Sequence, residues 1–220
     1  MANDVPFLIL HFEASTACLE AIQPNDFFHE TRGKIVTVDE SDQETLVGKF
    51  CLYYANVDNA YDEGFEPLEV LDTYSHTVDY FSSIYVTSGT EFCEKLLHLL
   101  NFDVFENNSL ILDRLELLPR YRGQNLGLII MRRLIQRFSL GAGVVAIKPF
   151  PLQFEHEPST EKGNHWRNEL QLSNFTNNEH TATQKLRSYY RKLGFVGMQG
   201  TPFMFRSTAL RLPTIEEFST

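Results

Sequence analysis

The segment from Asn108 to Ser139 constrains the fold more than any other part of the chain. It begins with apolar residues broken by charged ones, a pattern that predicts a β-strand. The strand should stop at Pro119, because proline has no N–H to donate to a neighbouring strand. After a short loop, apolar residues from Leu126 to Phe138 recur at helical spacing, opposite a face rich in arginine. The segment therefore predicts a strand, a loop and a helix in that order.

The loop between that strand and that helix has the chemistry of an anion site. The first amides of a helix have no partner within it, and the helix dipole places positive charge there. Arg122 adds a fork of donors suited to phosphate oxygens, and Gly123 and Gly127 allow the backbone to approach a ligand or a strand closely. On these grounds alone, a binding loop and a purely structural turn are equally good interpretations. The spacing excludes a triphosphate P-loop and the glycine fingerprint of a dinucleotide site.

The run LDRLELLPRYRGQNLG resembles the acyl-CoA-binding motif of the GNAT superfamily of N-acetyltransferases. That motif alternates hydrophobic residues up to a proline and continues with the pattern R-G-x-G-x-G. The residues that match it in register are Leu115, Leu117, Pro119, Arg122, Gly123 and Gly127. Asn125 replaces the middle glycine of the family, and asparagine tolerates the left-handed backbone of such a turn better than other non-glycine residues.

A second run, KLRSYYRKLGF, resembles the helix-to-strand segment that commonly ends Y-x-K-L-G-F in the same family. Its apolar and aromatic residues would share one helical stripe, and Gly194 would end the helix. The two runs occur in the family's order, and together they extend the resemblance from about Leu110 to Phe205, roughly half of the chain.

The resemblance implies a mixed α/β (α+β) GNAT fold, with a mostly antiparallel central sheet, one splayed pair of parallel strands and flanking helices. It implies one N-acetyltransferase domain over residues 1–220, which moves an acetyl group from acetyl-CoA, the acyl-donor cosubstrate, to an amine by direct attack on the thioester. The pantetheine arm would pair with the main chain of Leu115 to Leu117 between the splayed strands. The implied cofactor contacts are Leu115, Glu116, Leu117, Arg122, Gly123, Gln124, Asn125, Leu126, Gly127 and Tyr190.

Tyr190 is the candidate partner of the departing thiolate. The resemblance places it where many family members have a tyrosine beside the thioester sulfur, and Tyr189 is the reserve candidate. The alternative is a core tyrosine whose hydroxyl reaches the surface.

The candidates for the general base are two carboxylates of the predicted strand. An ammonium ion is not nucleophilic, so a base must first remove a proton. Asp113 is the first choice, because it shares strand parity with Leu115 and Leu117. Simple alternation points Glu116 to the opposite face, although a bulge in the strand would shift it. Either carboxylate could instead be a surface group paired with Arg114.

Further strands are predicted at Phe7–Phe12, Lys34–Val38, Leu46–Tyr54, Val144–Ile147, Phe195–Met198 and Thr201–Ser207. The second and third should form an antiparallel hairpin. A short helix is predicted within Ser15–Phe28 and a polar loop over Asn56–Pro67.

Two insertions are predicted in the domain. The first, at about 67–101, is a helical pair that could wall the acceptor pocket, form a dimer contact or simply pack in the core. Its first helix would bury a face of Tyr74, Val78, Phe81 and Tyr85, and its second would begin with a capping box from Ser88 to Glu91. The second insertion, 154–181, is a loop or flap that could lid the acceptor site.

Composition limits the partners and the compartment. The net charge of −10 argues against nonspecific nucleic-acid binding and anionic membranes. Three scattered cysteines suggest a reducing cytoplasm, and the histidine spacing matches no metal template, so no metal is expected. The expected partner is an amine-bearing small molecule or peptide. The alternatives are a noncatalytic acyl-CoA-binding module and a homodimeric interaction module on the same fold.

Overall fold

The computed structural model describes residues 7–16, 21–72, 84–86, 89–101, 104, 106–156 and 160–218. Its strands form one sheet of seven, in the order β1-β2-β3-β4-β5-β7-β6. Their bounds are β1 Leu8–Ala14, β2 Phe28–Val38, β3 Glu44–Ala55, β4 Asn108–Leu117, β5 Ala142–Ile147, β6 Val196–Gly197 and β7 Met204–Ser207. Among these strands β4 and β5 are the one parallel pair. The prediction of a mixed α/β protein with a mostly antiparallel sheet is confirmed.

Helices flank the sheet as predicted. Their bounds are α1 Val57–Asp62, α2 Pro67–Leu71, α3 Glu94–Leu100, α4 Leu126–Phe138, α5 Glu161–Glu169 and α6 Glu179–Arg191. The bounds of α4 are those predicted from its apolar period. Within the described ranges, no helix has the length and apolar character needed to cross a membrane.

The early part of the chain follows the sequence prediction only in outline. The hairpin of β2 and β3 forms, but β2 begins at Phe28, within the segment expected to hold a helix. The predicted polar loop after β3 is wrong, because α1 forms there. Val57 and Ala60 are fully buried and give this short helix an apolar side. The other residues of the helix are mostly polar, so the sequence did not indicate it.

The predicted helical pair is also corrected. Tyr85 lies in a bridge with Phe92, not on a helix, and the two rings stack with centroids 4.9 Å apart. The second helix, α3, begins at Glu94 with Cys93 at its N-cap, so a capping box ending at Glu91 is wrong. Tyr74, Val78, Phe81 and Ser88 lie outside the described residues.

Two apolar cores lie on opposite faces of the sheet. One face packs against α1, α2 and α3, and the other packs against α4 and the end of α6. The strand β5 is buried along its whole length, with Val144 and Ala146 in the first core and Val145 and Ile147 in the second. Its continuous apolar run reflects this burial on both faces, as predicted.

Arg206 on β7 is a charged residue inside the second core, with only 1% of its surface exposed. Its guanidinium donates to the carbonyls of Leu193, 3.0 Å away, and Leu210, 2.6 Å away. Burial lowers the pKa of Arg206 to about 10. The side chain ties the turn after α6, and hence the helix that carries Tyr190, to the sheet.

We expect Arg206→Met to lower the free energy of unfolding by about 2 kcal/mol or more, because two carbonyls lose charge-assisted donors. Urea denaturation followed by circular dichroism measures the change. Arg133→Met, which removes an exposed arginine from α4, is the matched control and should have little effect. Equal losses in the two variants would contradict this account of Arg206.

Candidate functional site

The parallel pairing of β4 and β5 ends halfway along β4. The last pair is Leu112 with Ile147. Beyond it, β4 continues to Leu117 and is paired with β3 alone. The segment that follows β5 contains Pro149 and Pro151, which cannot extend a ladder. From Asp113 to Leu117, the edge of β4 that faces away from β3 therefore has no described strand beside it.

A β-bulge at Asp113 decides which side chains share a face. Across the pairing with β3, Cys51 opposes Arg114 but Leu52 opposes Leu112, so Asp113 is the extra residue. The expectation that Asp113 shares a face with Leu115 and Leu117 is therefore wrong. Those two leucines pack towards the core beside α4, whereas Asp113 and Glu116 line a cavity on the other face together with Arg114.

Two residues of the loop before α4 have a left-handed backbone. Asn125 has φ 57° and ψ 9°, a left-handed conformation, and Gly123 has φ 82°. The left-handed conformation expected at Asn125 is therefore present. Within the described residues, the backbone N–H groups of residues 123–127 donate to no acceptor. This run of amides at the positive end of a 13-residue helix suits an oxyanion.

Arg122 does not face the loop as a free cation. Its Nε donates to the carbonyl of Leu117 at 2.8 Å, an Nη donates to the carbonyl of Leu170 at 2.7 Å, and its guanidinium lies 4.8 Å from the centroid of the Phe175 ring. The guanidinium connects the end of β4 to the segment after α5. The contribution to anion binding expected of its side chain is not seen in this conformation.

The two tyrosines of α6 lie on the α4 side of the sheet. The Tyr189 hydroxyl accepts the Leu128 N–H at 3.0 Å and lies close to Gly127, where a Cβ atom would be 2.7 Å away. The absence of a side chain at Gly127 therefore makes room for the Tyr189 hydroxyl, and not for a strand or a ligand. Tyr190 packs against the core, with its ring centroid 6.4 Å from that of Phe195. Burial raises the pKa of Tyr190 and that of Tyr189, the latter to about 12.

The C-terminal segment packs against the same loop. Phe218 is 1% exposed, and its carbonyl accepts hydrogen bonds from the Asn125 side chain at 3.0 Å and from Lys192 at 3.3 Å. Arg132 of α4 holds the segment further upstream, through the carbonyl of Pro213. The side chain of Asn125 thus connects the loop to a segment that the sequence presents as a simple tail.

A cavity of about 380 Å³ lies on the other face of β3 and β4. Its walls are the strands β2, β3 and β4, the turn after Pro151, the helix α5 and the residues that follow it. The residues that line it are Arg32, Cys51, Tyr53, Asp113, Arg114, Glu116, Leu152, Glu155, Gly163, Trp166, Arg167, Leu170 and Leu172. Both predicted carboxylates thus face one space, although the loop before α4 and Tyr190 lie on the α4 side.

Contacts from α5 close one side of this cavity. The Trp166 indole N–H donates to Glu116 at 2.6 Å, and the Lys49 ammonium lies 3.7 Å from the centroid of the Trp166 ring. Arg114 donates to Glu116 at 3.0 Å and forms an ion pair with Glu155. Within the predicted flap of residues 154–181, α5 thus makes polar contacts with the strands, and Glu116 accepts the hydrogen bond from Trp166 that fixes them.

Asp113 has the freer of the two carboxylates. No described residue bonds to its side chain, which is exposed at the cavity. Partial burial by the cavity walls raises the pKa of Asp113, while the charge of Arg114 opposes the shift. A carboxylate that is held without a tight partner is suited to exchange a proton with a bound group.

Sequence reasoning missed the contribution of Arg32, Trp166 and Arg167 to this cavity. They come from β2 and α5, far from β4 along the chain, and no spacing rule connects them. The signal that could have indicated one of them is compositional, because Trp166 is the single tryptophan and lies in a polar segment.

No protein-family model matches this chain, and neither a curated protein nor a solved structure matches it.

Asp113 should make the stability of the protein depend on pH. Because the pKa of Asp113 is raised on folding, its charged form opposes the folded state, and stability falls as pH rises above the ordinary aspartate range and through the folded pKa. Asp113→Asn removes this loss. We expect the variant to gain stability over the wild type at pH 7 relative to pH 4, as measured by urea denaturation at each pH. If the difference in stability between Asp113→Asn and the wild type is the same at pH 4 and pH 7, the raised pKa of Asp113 is contradicted.

Proposed function

We propose that this protein is an N-acetyltransferase of the GNAT type, which transfers an acetyl group from acetyl-CoA to an amine. One observation carries the proposal. The edge of β4 loses its parallel neighbour after Leu112, and the strand then leads within a few residues to a loop whose amides, 123–127, are free to bind an oxyanion. A cofactor with an extended amide-containing arm and a phosphate-bearing end needs these two features next to each other.

The residues fit acetyl-CoA at two places. The backbone N–H groups of residues 123–127 would hold the pyrophosphate, since they lie at the positive end of α4 and have no acceptor among the described residues. The free edge of β4 from Asp113 to Leu117 would pair with the amides of the pantetheine arm, in the manner of an added strand. Acetyl-CoA supplies an acetyl group that is activated as a thioester.

Side chains of the protein would then take part in two proton transfers. Asp113 accepts a proton from the ammonium form of the acceptor, directly or through water, so that the nitrogen lone pair can form the new C–N bond. As the C–S bond breaks, Tyr190 donates a hydrogen bond or proton to the departing sulfur. Main-chain N–H groups on the free edge of β4 would stabilise the negative charge that develops on the carbonyl oxygen.

The acceptor would enter from the cavity that Asp113 lines. This cavity lies across the sheet from Tyr190, and the unpaired edge of β4 borders both faces. The ordered helix α5 would cover the acceptor while it reacts. Excluding water in this way strengthens the electrostatic interactions inside the site.

Placing a negative charge in the loop before α4 should weaken acetyl-CoA binding. Gln124 is exposed there, and we expect Gln124→Glu to raise the Kd for acetyl-CoA about tenfold by repulsion from the phosphates. Isothermal titration calorimetry measures the Kd. Gln136→Glu makes the same change of charge at the other end of α4 and is the matched control. If the wild type binds no CoA ester, or if the two variants bind alike, the proposed cofactor site is wrong.

Two variants separate catalysis from cofactor binding. We expect Tyr190→Phe to lower kcat about tenfold or more with an unchanged Kd for acetyl-CoA, because the departing sulfur loses its donor. Asp113→Asn should remove the acidic limb of the pH–rate profile. Release of free thiol from acetyl-CoA in the presence of a panel of amines gives both readouts. Tight acetyl-CoA binding without thiol release from any amine would instead indicate a noncatalytic acyl-CoA-binding module.

A further inference from the structure

Two groups of opposite charge in the cavity beside α5 have no ion-pair partner among the described residues. Arg114 pairs with both Glu116 and Glu155, a group that keeps one net negative charge, and Arg32 pairs with Glu30 at 2.7 Å. The other two charged side chains that line the cavity are those of Asp113 and Arg167. Neither forms an ion pair with a described residue. A bound molecule with one positive and one negative group would complement both.

Arg167 is held in place without being neutralised. Its two Nη atoms donate to main-chain carbonyls, those of Leu152 at 3.4 Å and Glu155 at 3.0 Å. Carbonyl oxygens fix the direction of a guanidinium but carry no full charge. The remaining N–H groups of the fork are suited to a planar carboxylate, which can accept two parallel hydrogen bonds.

A second cavity, of about 320 Å³, adjoins the first and shares Arg167 and Leu172 with it. Apart from Arg167, its polar lining is uncharged and consists largely of side-chain amides, those of Gln153, Asn168, Gln171 and Asn177. Each amide group offers N–H donors. Arg167 therefore stands between the space that Asp113 lines and a space rich in neutral donors, which is a suitable environment for an anionic group.

We propose that the acceptor is a small amine that also carries a carboxylate, with the amine at Asp113 and the carboxylate at Arg167. This inference rests on the proposed acetyl transfer for the role of the amine, but the binding site itself does not. A zwitterion has no net charge, so the overall charge of −10 does not repel it. A plain anion would be repelled, and a plain amine would leave Arg167 without an anionic partner.

Matched ligands test the proposal. The amino carboxylates glycine, β-alanine and γ-aminobutyrate differ from methylamine, ethylamine and propylamine by one carboxylate each. Their Kd values are measured by ligand-observed NMR without acetyl-CoA, and their KM values are measured by thiol release with it. We expect the best amino carboxylate to bind about tenfold more tightly than its matched amine. Equal affinities throughout the series would overturn the proposal.

Arg167 variants assign the preference to this side chain. Arg167→Gln should abolish the advantage of the amino carboxylates, Arg167→Lys should restore part of it, and Lys162→Gln, an exposed change on the same helix, should leave it intact. Because Arg167→Gln also removes main-chain contacts, Asn168→Ala, which alters only the second cavity, serves as a further variant and should weaken the amino carboxylates selectively. An unchanged preference in both Arg167→Gln and Asn168→Ala would overturn the proposal.

The readouts distinguish this proposal from the proposed function. Arg167-dependent binding of amino carboxylates, with no thiol release from any amine, would support the zwitterion site and refute acetyl transfer. Thiol release from alkylamines and amino carboxylates with equal KM values would support acetyl transfer and refute the carboxylate subsite.

Discussion

The early end of the hydrogen-bonded ladder between β4 and β5 is the constraint on which the rest of the site depends. Prolines at 149 and 151 prevent β5 from continuing, while β4 runs on for five more residues with support from β3 alone. The bulge at Asp113 lies at this point and turns the following side chains, so that carboxylates face the α5 cavity and leucines face the core beside α4. The end of the ladder thus sets the free strand edge, and the bulge beside it sets the polar character of the cavity.

Arginine has several different tasks in this molecule. Arg206 and Arg122 donate to main-chain carbonyls and connect elements that are distant in sequence, at a cost in desolvation that lowers the pKa of each. Arg114 pairs with a carboxylate of its own strand and with Glu155, and so holds the turn after Pro151 against β4. Arg167 donates only to carbonyls and keeps its charge uncompensated by any described carboxylate. The residue type alone would have suggested the same role for all four.

Local patterns predicted the elements that depend on local information. The period of α4, the continuous apolar run of β5 and the left-handed turn at Asn125 all follow from residues close together in the chain. Two of the failed predictions show different physical reasons. The parity of Asp113 was wrong because a bulge adds one residue and has no sequence signature, and α1 was missed because tertiary burial of Val57 and Ala60 outweighs a polar composition. The cavity could not be predicted, since β2, β3, β4 and α5 meet only in the folded chain.

The contact between α5 and β4 has a practical consequence. Trp166 is the single tryptophan of the chain, and its indole lies between the carboxylate of Glu116 and the ammonium of Lys49. The emission of an indole responds to nearby charges and to water, so fluorescence excited selectively at tryptophan reports on this contact. Any motion of α5 away from the strands would change that emission, so the opening of the cavity can be followed without an added label.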